Sequence, residues 1–199
     1  MLKESGLTLV ELTISLLIST SLILFATSSA IHIGEGLSHI KQQALLKNEL
    51  RLLMQTVSIQ LKRAGFIALP FNDVVNNNPQ LVPPILISHH PTSPNSSCVL
   101  FAYDKNSDGQ ITTQLPAEHL GFRLHKNALE YRVDKKNCDQ GGWHDMNNTK
   151  EIVVSKFSIQ LYAVAELAHV YKIDLALESK FNPTLTVRQS LLLRVPNAI

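Results

Sequence analysis

The chain has 199 residues, with 18 lysines and arginines against 16 acidic residues and a formal net charge of +2. This near-neutral balance gives no argument for nucleic acid as the main partner. Hydrophobic residues make up an ordinary 45% of the chain, but they are unevenly distributed. Between residues 7 and 33 the only formally charged side chain is that of Glu11, and the remainder has the size of an ordinary single domain.

The first predicted segment is a short polar leader followed by a long apolar run. The leader is Met1–Gly6, and the run exceeds the ~20 residues that a helix needs to cross a hydrocarbon core. A secretory signal peptide would place an A-x-A-like cleavage site after the apolar run, and no such site follows this one. Lys3 precedes the run and Lys41 is the first base after it, so a weak positive-inside signal predicts a cytoplasmic start.

Glu11 is the unusual residue of the apolar run, because a carboxylate at membrane depth is costly and is usually paired or functional. A plain membrane anchor explains the length of the run but neither Glu11 nor the glycine boundary. The stretch Gly6-Leu-Thr-Leu-Val-Glu-Leu12 resembles the class III leader of type IV pilins and pseudopilins. In that family a prepilin peptidase cuts after the glycine and N-methylates the new first residue. Glutamate at the fifth mature position is the family's hallmark.

The resemblance implies processing at Gly6 and Leu7, and it gives Glu11 a role in assembly. Leu7 stands where phenylalanine is more usual, a conservative apolar change that bears only on methylation. Cleavage would create an amine about one helical turn from Glu11. In a filament, the resemblance implies that Glu11 of one subunit faces the N-terminal amine of its neighbour. Pairing would make both charges tolerable in an apolar environment and would help to set the axial register.

The next element is an amphipathic continuation of the same helix. Its apolar residues recur at spacings of three and four: Leu46, Leu50, Leu53, Val57 and Leu61. A cationic last turn before Gly65 predicts the helix end, so one helix should run from about Leu7 to Ala64. Gly34 and Gly36 each weaken a helix by about 1 kcal/mol relative to alanine. They indicate either a functional hinge or a tolerated soft spot.

The rest of the chain predicts a loop and then a series of strands. The polar stretch 68–97, rich in proline and asparagine, suits an extended surface loop and opposes a central strand. Strand-like runs follow at 98–103, 121–124, 128–133, 152–164, 170–177 and 185–195, with a hairpin turn at Lys126-Asn127. Successive strands with short links predict an antiparallel sheet on which the amphipathic helix half packs. The expected fold class is α+β, and the resemblance makes it type IV pilin-like.

Four segments are expected along the chain. They are a leader (1–6), a transmembrane or filament-core helix (7–33), an amphipathic helix half (34–65) and a periplasmic β-rich domain (66–199). Export of the last segment, which follows from the leader, favours one disulfide between Cys98 and Cys138. That bond would close a loop of roughly forty residues and stabilise the domain by a few kcal/mol. Two buried free thiols are the alternative.

A second set of landmarks resembles the PilW/PpdB-type minor pilins, also called prepilin peptidase-dependent proteins. The landmarks are Cys98–Gly109 (CVLFAYDKNSDG), Gly121-Phe-Arg-Leu124, Leu129-Glu-Tyr-Arg132, Cys138 and Trp143. Their order covers most of the chain, and the likeness is weakest in the proline-rich loop and near the C-terminus. This resemblance places the chain in the minor-pilin branch of the superfamily.

The loop after the first predicted strand has the composition of half a calcium site. Its oxygen ligands would be Asp104, Asn106 and Asp108. An EF-hand also needs a bidentate glutamate at the twelfth position, where this chain has Leu115, so an EF-hand is rejected. Glu118 could substitute in a different loop geometry. Alternatively, these residue types simply make a turn after a strand.

No catalytic motif is present, since the chain has no G-x-S-x-G, P-loop or HExxH sequence. We therefore expect no enzyme, no catalytic residue and no cofactor, with calcium in that loop as the alternative to a plain turn. The resemblance implies a minor pilin that takes part in initiation and assembly of a type IV pilus, in a tip complex. Its implied partners are prepilin peptidase, other minor and major pilins, and the inner-membrane assembly platform.

The implied location is a single pass through the inner membrane, with a cytoplasmic N-terminus and a periplasmic C-terminal domain, before incorporation into a pilus. One alternative is a pseudopilin of a type II secretion system, which the sequence separates poorly from a pilin. Another is a membrane-anchored periplasmic domain that binds a ligand or DNA. Nucleic acid is disfavoured because Lys135-Lys136 and a few dispersed bases do not make a basic stripe.

Overall fold

The structure is a computed structural model that describes residues 8–68, 85–113, 115, 117–132, 135–165 and 168–196, with only the backbone for residues 31–35. The chain divides into two compact units, the first ending at Ala44 and the second beginning at Leu45. The predicted processing residues Gly6 and Leu7 lie outside the described residues.

Helix α1 comprises 54 residues, Leu9–Lys62. It ends in a turn where Gly65 has a φ of 81°, a left-handed conformation that glycine adopts without steric penalty. The prediction of one helix from about Leu7 to Ala64 is confirmed to within two residues at each end. The helix continues unbroken through Gly34 and Gly36.

The amphipathic pattern of α1 becomes one face of the core in the second unit. All five residues of the predicted apolar stripe are buried: Leu46, Leu50, Leu53, Val57 and Leu61. Met54 and Ala64 extend the same face. Burial of this stripe, rather than intrinsic propensity, therefore stabilises this half of the helix.

The first sheet has five antiparallel strands in sequence order. They are β1 (Leu86–Ser88), β2 (Cys98–Ala102), β3 (His119–His125), β4 (Ala128–Tyr131) and β5 (His144–Asp145). Lys126 and Asn127 join β3 to β4 with φ values of 47° and 64°. A two-residue type I′ hairpin requires positive φ at both positions, so the predicted turn is confirmed.

The second sheet has three long antiparallel strands, β6 (Ile152–Ala165), β7 (Ala168–Ser179) and β8 (Thr186–Val195), in that order. Strand β7 alternates buried and half-buried residues along most of its length, as expected where one face covers a core. Register shifts next to Ser155 and Tyr162 mark two bulges in β6.

The antiparallel α+β architecture is confirmed, but the strands of the described residues form two sheets where the sequence predicted one. The amide of Val154 donates to the carbonyl of Asn127 at 2.8 Å, and that of Ile159 donates to the carbonyl of Ser96 at 2.9 Å. These two bonds link the sheets. Strand β1 lies within the stretch that was expected to be a loop, and it occupies an edge, where proline-rich sequence is tolerated.

The largest hydrophobic core cluster includes residues from α1 and from both sheets. Its largest fully buried members include Tyr103, Phe101, Phe157, Leu61, Leu129 and Ile159. A second, smaller cluster contains Cys98, Leu100, Cys138 and Trp143. The residues that the sequence pointed to for function therefore fall in three places: the start of α1, this smaller cluster and the loop that follows β2.

Candidate functional site

The first functional feature is the apolar part of α1. Residues Leu9–Ala30 form a 22-residue stretch that is long and apolar enough to cross a membrane. Its large apolar side chains are exposed, with 81% of Leu9 and 73% of Phe25 accessible. So extensive an apolar surface marks contact with a membrane or with partner subunits. The segment is compatible with a single-pass anchor.

The hydroxyl side chains of this stretch do not oppose burial in lipid. Each donates to a backbone carbonyl three or four residues earlier: Thr13, Ser15, Ser19, Thr20, Ser21, Thr27, Ser28 and Ser29. A polar group in a hydrocarbon environment needs such an internal partner. Glu11 is the one formally charged side chain among residues 9–30.

Thr8 and Glu11 cap the start of α1 reciprocally. The Thr8 amide and hydroxyl both donate to Glu11 Oε2 at 2.9 Å, and the Glu11 amide donates to Thr8 Oγ1 at 3.3 Å. Thr8 is the N-cap and Glu11 the third helical residue, which is the arrangement of a capping box. Amide groups at a helix start lack intrahelical partners, so this box satisfies donors that would otherwise be unpaired.

The capping box leaves Glu11 available to a further partner. Its carboxylate is exposed, and its Oε1 atom accepts no hydrogen bond from any residue between 8 and 68 or elsewhere in the described part of the chain. A negative charge here also interacts favourably with the helix dipole. Glu11 can therefore cap its own helix with one oxygen and receive a cation with the other.

The second feature is a disulfide between Cys98, the first residue of β2, and Cys138, in the segment between β4 and β5. The structure contains this bond, and export of the domain would favour it. The two cysteines pack with Leu100 and Trp143 in the smaller hydrophobic cluster. The loop it closes has a sequence separation of 40 residues.

Arg123 holds this disulfide segment against the first sheet. Its Nε donates to Glu130 Oε2 at 2.5 Å, and its Nη1 donates to the carbonyls of Cys138 and Gln140 at 2.7 Å each. The guanidinium also lies 4.6 Å from the ring centroid of Trp143. Because Arg123 and Glu130 are both buried, their charges depend on these contacts for stabilisation.

The third feature is the loop that was proposed as half a calcium site. Asp104 is fully buried, and its carboxylate accepts hydrogen bonds from the backbone amides of Ala68, Ser107, Asp108 and Gly109. Burial alone would raise the pKa of Asp104, but these four amides hold the pKa below its ordinary value. The carboxylate therefore organises the loop as an acceptor of its amides.

Glu118 plays the same part from the other side of the loop. It is fully buried, and its two oxygens accept bonds from the amides of Lys105, Asn106 and Thr112. The four amides fill the acceptor positions of Asp104, so a calcium ion would have to displace an amide from that carboxylate. No group of three or more histidine, cysteine, aspartate or glutamate residues with metal-site geometry occurs within the described ranges. A calcium site in this loop stays an untested alternative to a plain turn.

Comparison with known proteins gives the family. The sequence model of PpdB, prepilin peptidase-dependent protein B, matches residues 39–195. The chain belongs to the PpdB family. Prepilin peptidase-dependent protein B of Escherichia coli (strain K12) is 27% identical over 192 residues, which cover 94% of each chain. No solved structure matches.

The PpdB match and the leader motif come from different parts of the chain. The matched residues, 39–195, hold the disulfide, Arg123 and Asp104, whereas the leader motif and Glu11 precede them. The name of the relative states dependence on prepilin peptidase and names no catalytic activity. The resemblance to the prepilin peptidase-dependent group, drawn from the two sets of landmarks, is thereby confirmed.

The predicted residues belong to two different compact units. Glu11 belongs to the first compact unit, and Cys98, Cys138 and Asp104 belong to the second. Within the second unit, Cys98 and Asp104 lie at opposite ends of the segment that contains β2. We therefore treat the start of α1 as the candidate functional site and the other two groups as parts of the domain's framework.

Two functional relationships were missed from the sequence. The capping box could have been found, because Thr8-Leu-Val-Glu11 has the T-x-x-E spacing that precedes an apolar run. The contacts of Arg123 with Glu130 and the disulfide segment had no such signal. They depend on strand pairing, which places Arg123 directly opposite Glu130.

Proposed function

We propose that this chain is a minor pilin that prepilin peptidase cleaves between Gly6 and Leu7 and N-methylates on Leu7. The mature chain would then take part in initiation and assembly of a type IV pilus, in the tip complex. The observation that carries the proposal is the exposed apolar helix Leu9–Ala30 with an exposed carboxylate at its start, in a member of the PpdB family.

Glu11 would act by pairing with the new N-terminal amine of a neighbouring subunit. The carboxylate keeps one oxygen without a partner among the described residues while the other caps the helix. In an apolar environment an unpaired charge is strongly unfavourable, so the pair is stable only when both subunits are in register. The free energy cost of an unpaired Glu11 carboxylate in the membrane therefore favours assembly, because assembly pairs that charge.

The remaining partners follow from this topology. The helix would cross the inner membrane once, with a cytoplasmic start, and would contact other minor and major pilins and the assembly platform. The β-rich domain would lie in the periplasm. Its disulfide suits that compartment, because disulfides persist in oxidising surroundings and are rare in the cytosol.

Mass analysis of the N-terminus tests the processing step. We would co-express the full chain with a prepilin peptidase and compare it with cells that lack the enzyme. The expected product begins at N-methylated Leu7 only where the peptidase is present. A chain that keeps residues 1–6 in the presence of active enzyme would contradict the proposal.

The capping box supplies a matched pair of variants for the assembly step. Glu11→Gln keeps the side chain able to cap, since glutamine also serves in capping boxes, but removes the charge. Thr8→Val removes the capping hydroxyl and keeps the charge. We expect Glu11→Gln to abolish incorporation into pili and Thr8→Val to preserve it, with both variants processed and membrane-inserted. Equal loss in the two variants would mean that Glu11 acts through the cap.

Deletion of the gene distinguishes a role in a type IV pilus from a role in a type II secretion system. Loss of surface pili with normal export of secreted proteins supports the pilus assignment. Loss of secretion with normal pili identifies a type II pseudopilin instead. Complementation with the intact chain, and with Glu11→Gln, shows whether either defect depends on the charge.

A further inference from the structure

The two sheets have four edges among the described residues, and three of them are short or covered. The edge strands β1 and β5 have three and two residues. The edge of β6 is joined to the first sheet by the bonds from Val154 and Ile159, so it is covered over part of its length. Short or covered edges protect a protein from unwanted strand pairing.

Strand β8 is the exception. It has ten residues and pairs with β7 along its whole length. Beyond that pairing, no backbone–backbone hydrogen bond involves residues 186–195 within the described part of the chain. Alternate residues of β8 direct their N–H and C=O groups away from β7. This edge therefore presents an open row of backbone donors and acceptors.

The side chains of β8 define what could lie beside it. On the face away from the core, every residue is exposed: Thr186, Arg188, Ser190, Leu192 and Arg194. On the core face, Val187 and Leu191 are only half-buried and Gln189 between them is exposed, whereas Leu193 and Val195 are buried. A neighbouring strand with apolar residues on that inner face would complete the burial of Val187 and Leu191.

The outer face is cationic at this edge. Its acids are Asp174 and Glu178, and Glu178 lies opposite Thr186. Asp174 accepts a hydrogen bond from Ser190 and lies 3.5 Å from Lys156 Nζ and 3.9 Å from Lys172 Nζ. Arg188 and Arg194 form no ion pair with any described residue. A strand beside β8 would therefore be favoured by acidic residues on its outer face, next to the two arginines.

We propose that β8 is a docking edge that accepts an extended strand from another pilin-like subunit by β-augmentation. The backbone of that strand would pair with the open row, its inner residues would be apolar, and its outer residues would be acidic. That the partner is pilin-like rests on the proposed function. A second copy of this chain is a poorer fit, because its own β8 would bring the same arginines together.

Photo-crosslinking of the full chain tests this edge. We would place p-benzoylphenylalanine at Gln189, which is exposed, in cells that express the complete pilin set of the host. p-Benzoylphenylalanine in place of exposed Lys150 serves as the control. The expected product joins Gln189, but not Lys150, to an acid-containing strand segment of another pilin subunit. The proposal would be overturned if position 189 crosslinks only within its own chain or only to lipid. It would also be overturned if the yield at position 189 does not exceed that at position 150.

Charge reversal shows whether the arginines select the partner. Arg188→Glu combined with Arg194→Glu should lower the Gln189 crosslink yield about tenfold, because two favourable contacts become repulsive. Lys105→Glu combined with Lys150→Glu changes the net charge equally on other exposed loops and should leave the yield unchanged. An equal effect of both pairs would overturn the role of this edge.

The two proposals fail in distinguishable ways. If Leu7 is processed and Glu11 is required for incorporation, yet Gln189 gives no strand crosslink, only the docking edge is lost. If residues 1–6 remain on the chain and Gln189 still crosslinks to an acidic strand, the proposed function is lost and the edge stands. Amide exchange provides a second readout, since β8 amides should exchange at least about tenfold more slowly in the crosslink-competent complex than in the isolated chain.

Discussion

Arg123 and Glu130 lie directly opposite each other on β3 and β4 and form a buried ion pair. The same guanidinium holds the carbonyls of Cys138 and Gln140, so one side chain links two strands and the disulfide segment. The framework of the first sheet thus depends on a charge that has little access to water. This relationship gives the first prediction.

Removing one partner of the pair should destabilise the second unit strongly. We expect Arg123→Met to lower the free energy of unfolding by about 3–5 kcal/mol, because Glu130 is left buried and unpaired. Trp143 is the chain's one tryptophan and lies against Arg123, so its fluorescence during urea denaturation reports the change. The exposed Arg188→Met serves as control and should change the stability by less than about 0.5 kcal/mol.

The double replacement Arg123→Met with Glu130→Leu should recover much of that loss, since no unpaired charge remains. If the double variant is as unstable as the sum of the single variants, the two charges act independently. That result would contradict the pairing.

The disulfide should contribute comparably. For a loop with a sequence separation of 40 residues, restriction of the unfolded chain predicts a stabilisation of about 4 kcal/mol. We expect urea denaturation of the Cys98→Ala/Cys138→Ala variant to give a free energy of unfolding that is lower by about 4 kcal/mol. The reduced wild-type chain, which keeps both thiols in the smaller cluster, separates the loss of the cross-link from the loss of packing. A loss below about 1 kcal/mol would contradict the prediction.

Gly121 should be intolerant of any side chain. A Cβ atom there would lie 2.6 Å from the carbonyl oxygen of Val99 and 3.3 Å from the Trp143 ring. Because the nearest atom is backbone, we expect Gly121→Ala to cost about 1–3 kcal/mol through overpacking. Gly141→Ala is the matched control, since a Cβ at Gly141 meets nothing within 4 Å. Similar urea midpoints for the two variants would refute the close packing at Gly121.

Asp104 should make the stability of the second unit sensitive to acid. Its folded pKa is lowered, so its contribution is fully present above the unfolded pKa of about 3.9 and is lost as pH falls through the lower folded value. Asp104→Asn should therefore flatten the dependence of the urea midpoint on pH below about 4. It should also reduce stability at pH 7 by about 1–3 kcal/mol. The reason is that an NH2 group, which only donates, replaces a carboxylate oxygen that accepts backbone amides. The exposed Asp139→Asn is the control.

The same loop provides the test for calcium. Because both Asp104 and Glu118 already accept backbone amides, we expect millimolar calcium to leave the thermal midpoint of the chain unchanged. Equilibrium dialysis of the full chain in detergent checks binding directly. A calcium-dependent rise in the midpoint that Asp108→Ala abolishes would instead establish the loop as an ion site.

Local features could be predicted from the sequence because their determinants lie close together along the chain. The leader motif and Glu11 occur within six residues, the stripe from Leu46 to Leu61 has helical spacing, and Lys126-Asn127 makes a two-residue turn. The capping box of Thr8 and Glu11 is local in the same way, because its T-x-x-E spacing is visible in the sequence.

The sequence by itself determined the family, the long helix and the antiparallel α+β class, since a motif or a hydrophobic period carries each of them. Only the tertiary structure decided that there are two sheets, that Arg123 meets Glu130 and Cys138, and that β8 is an open edge. These features depend on which distant segments return to pair with one another. The period of a strand shows which of its faces is buried, but it does not show which distant segment lies beside that strand.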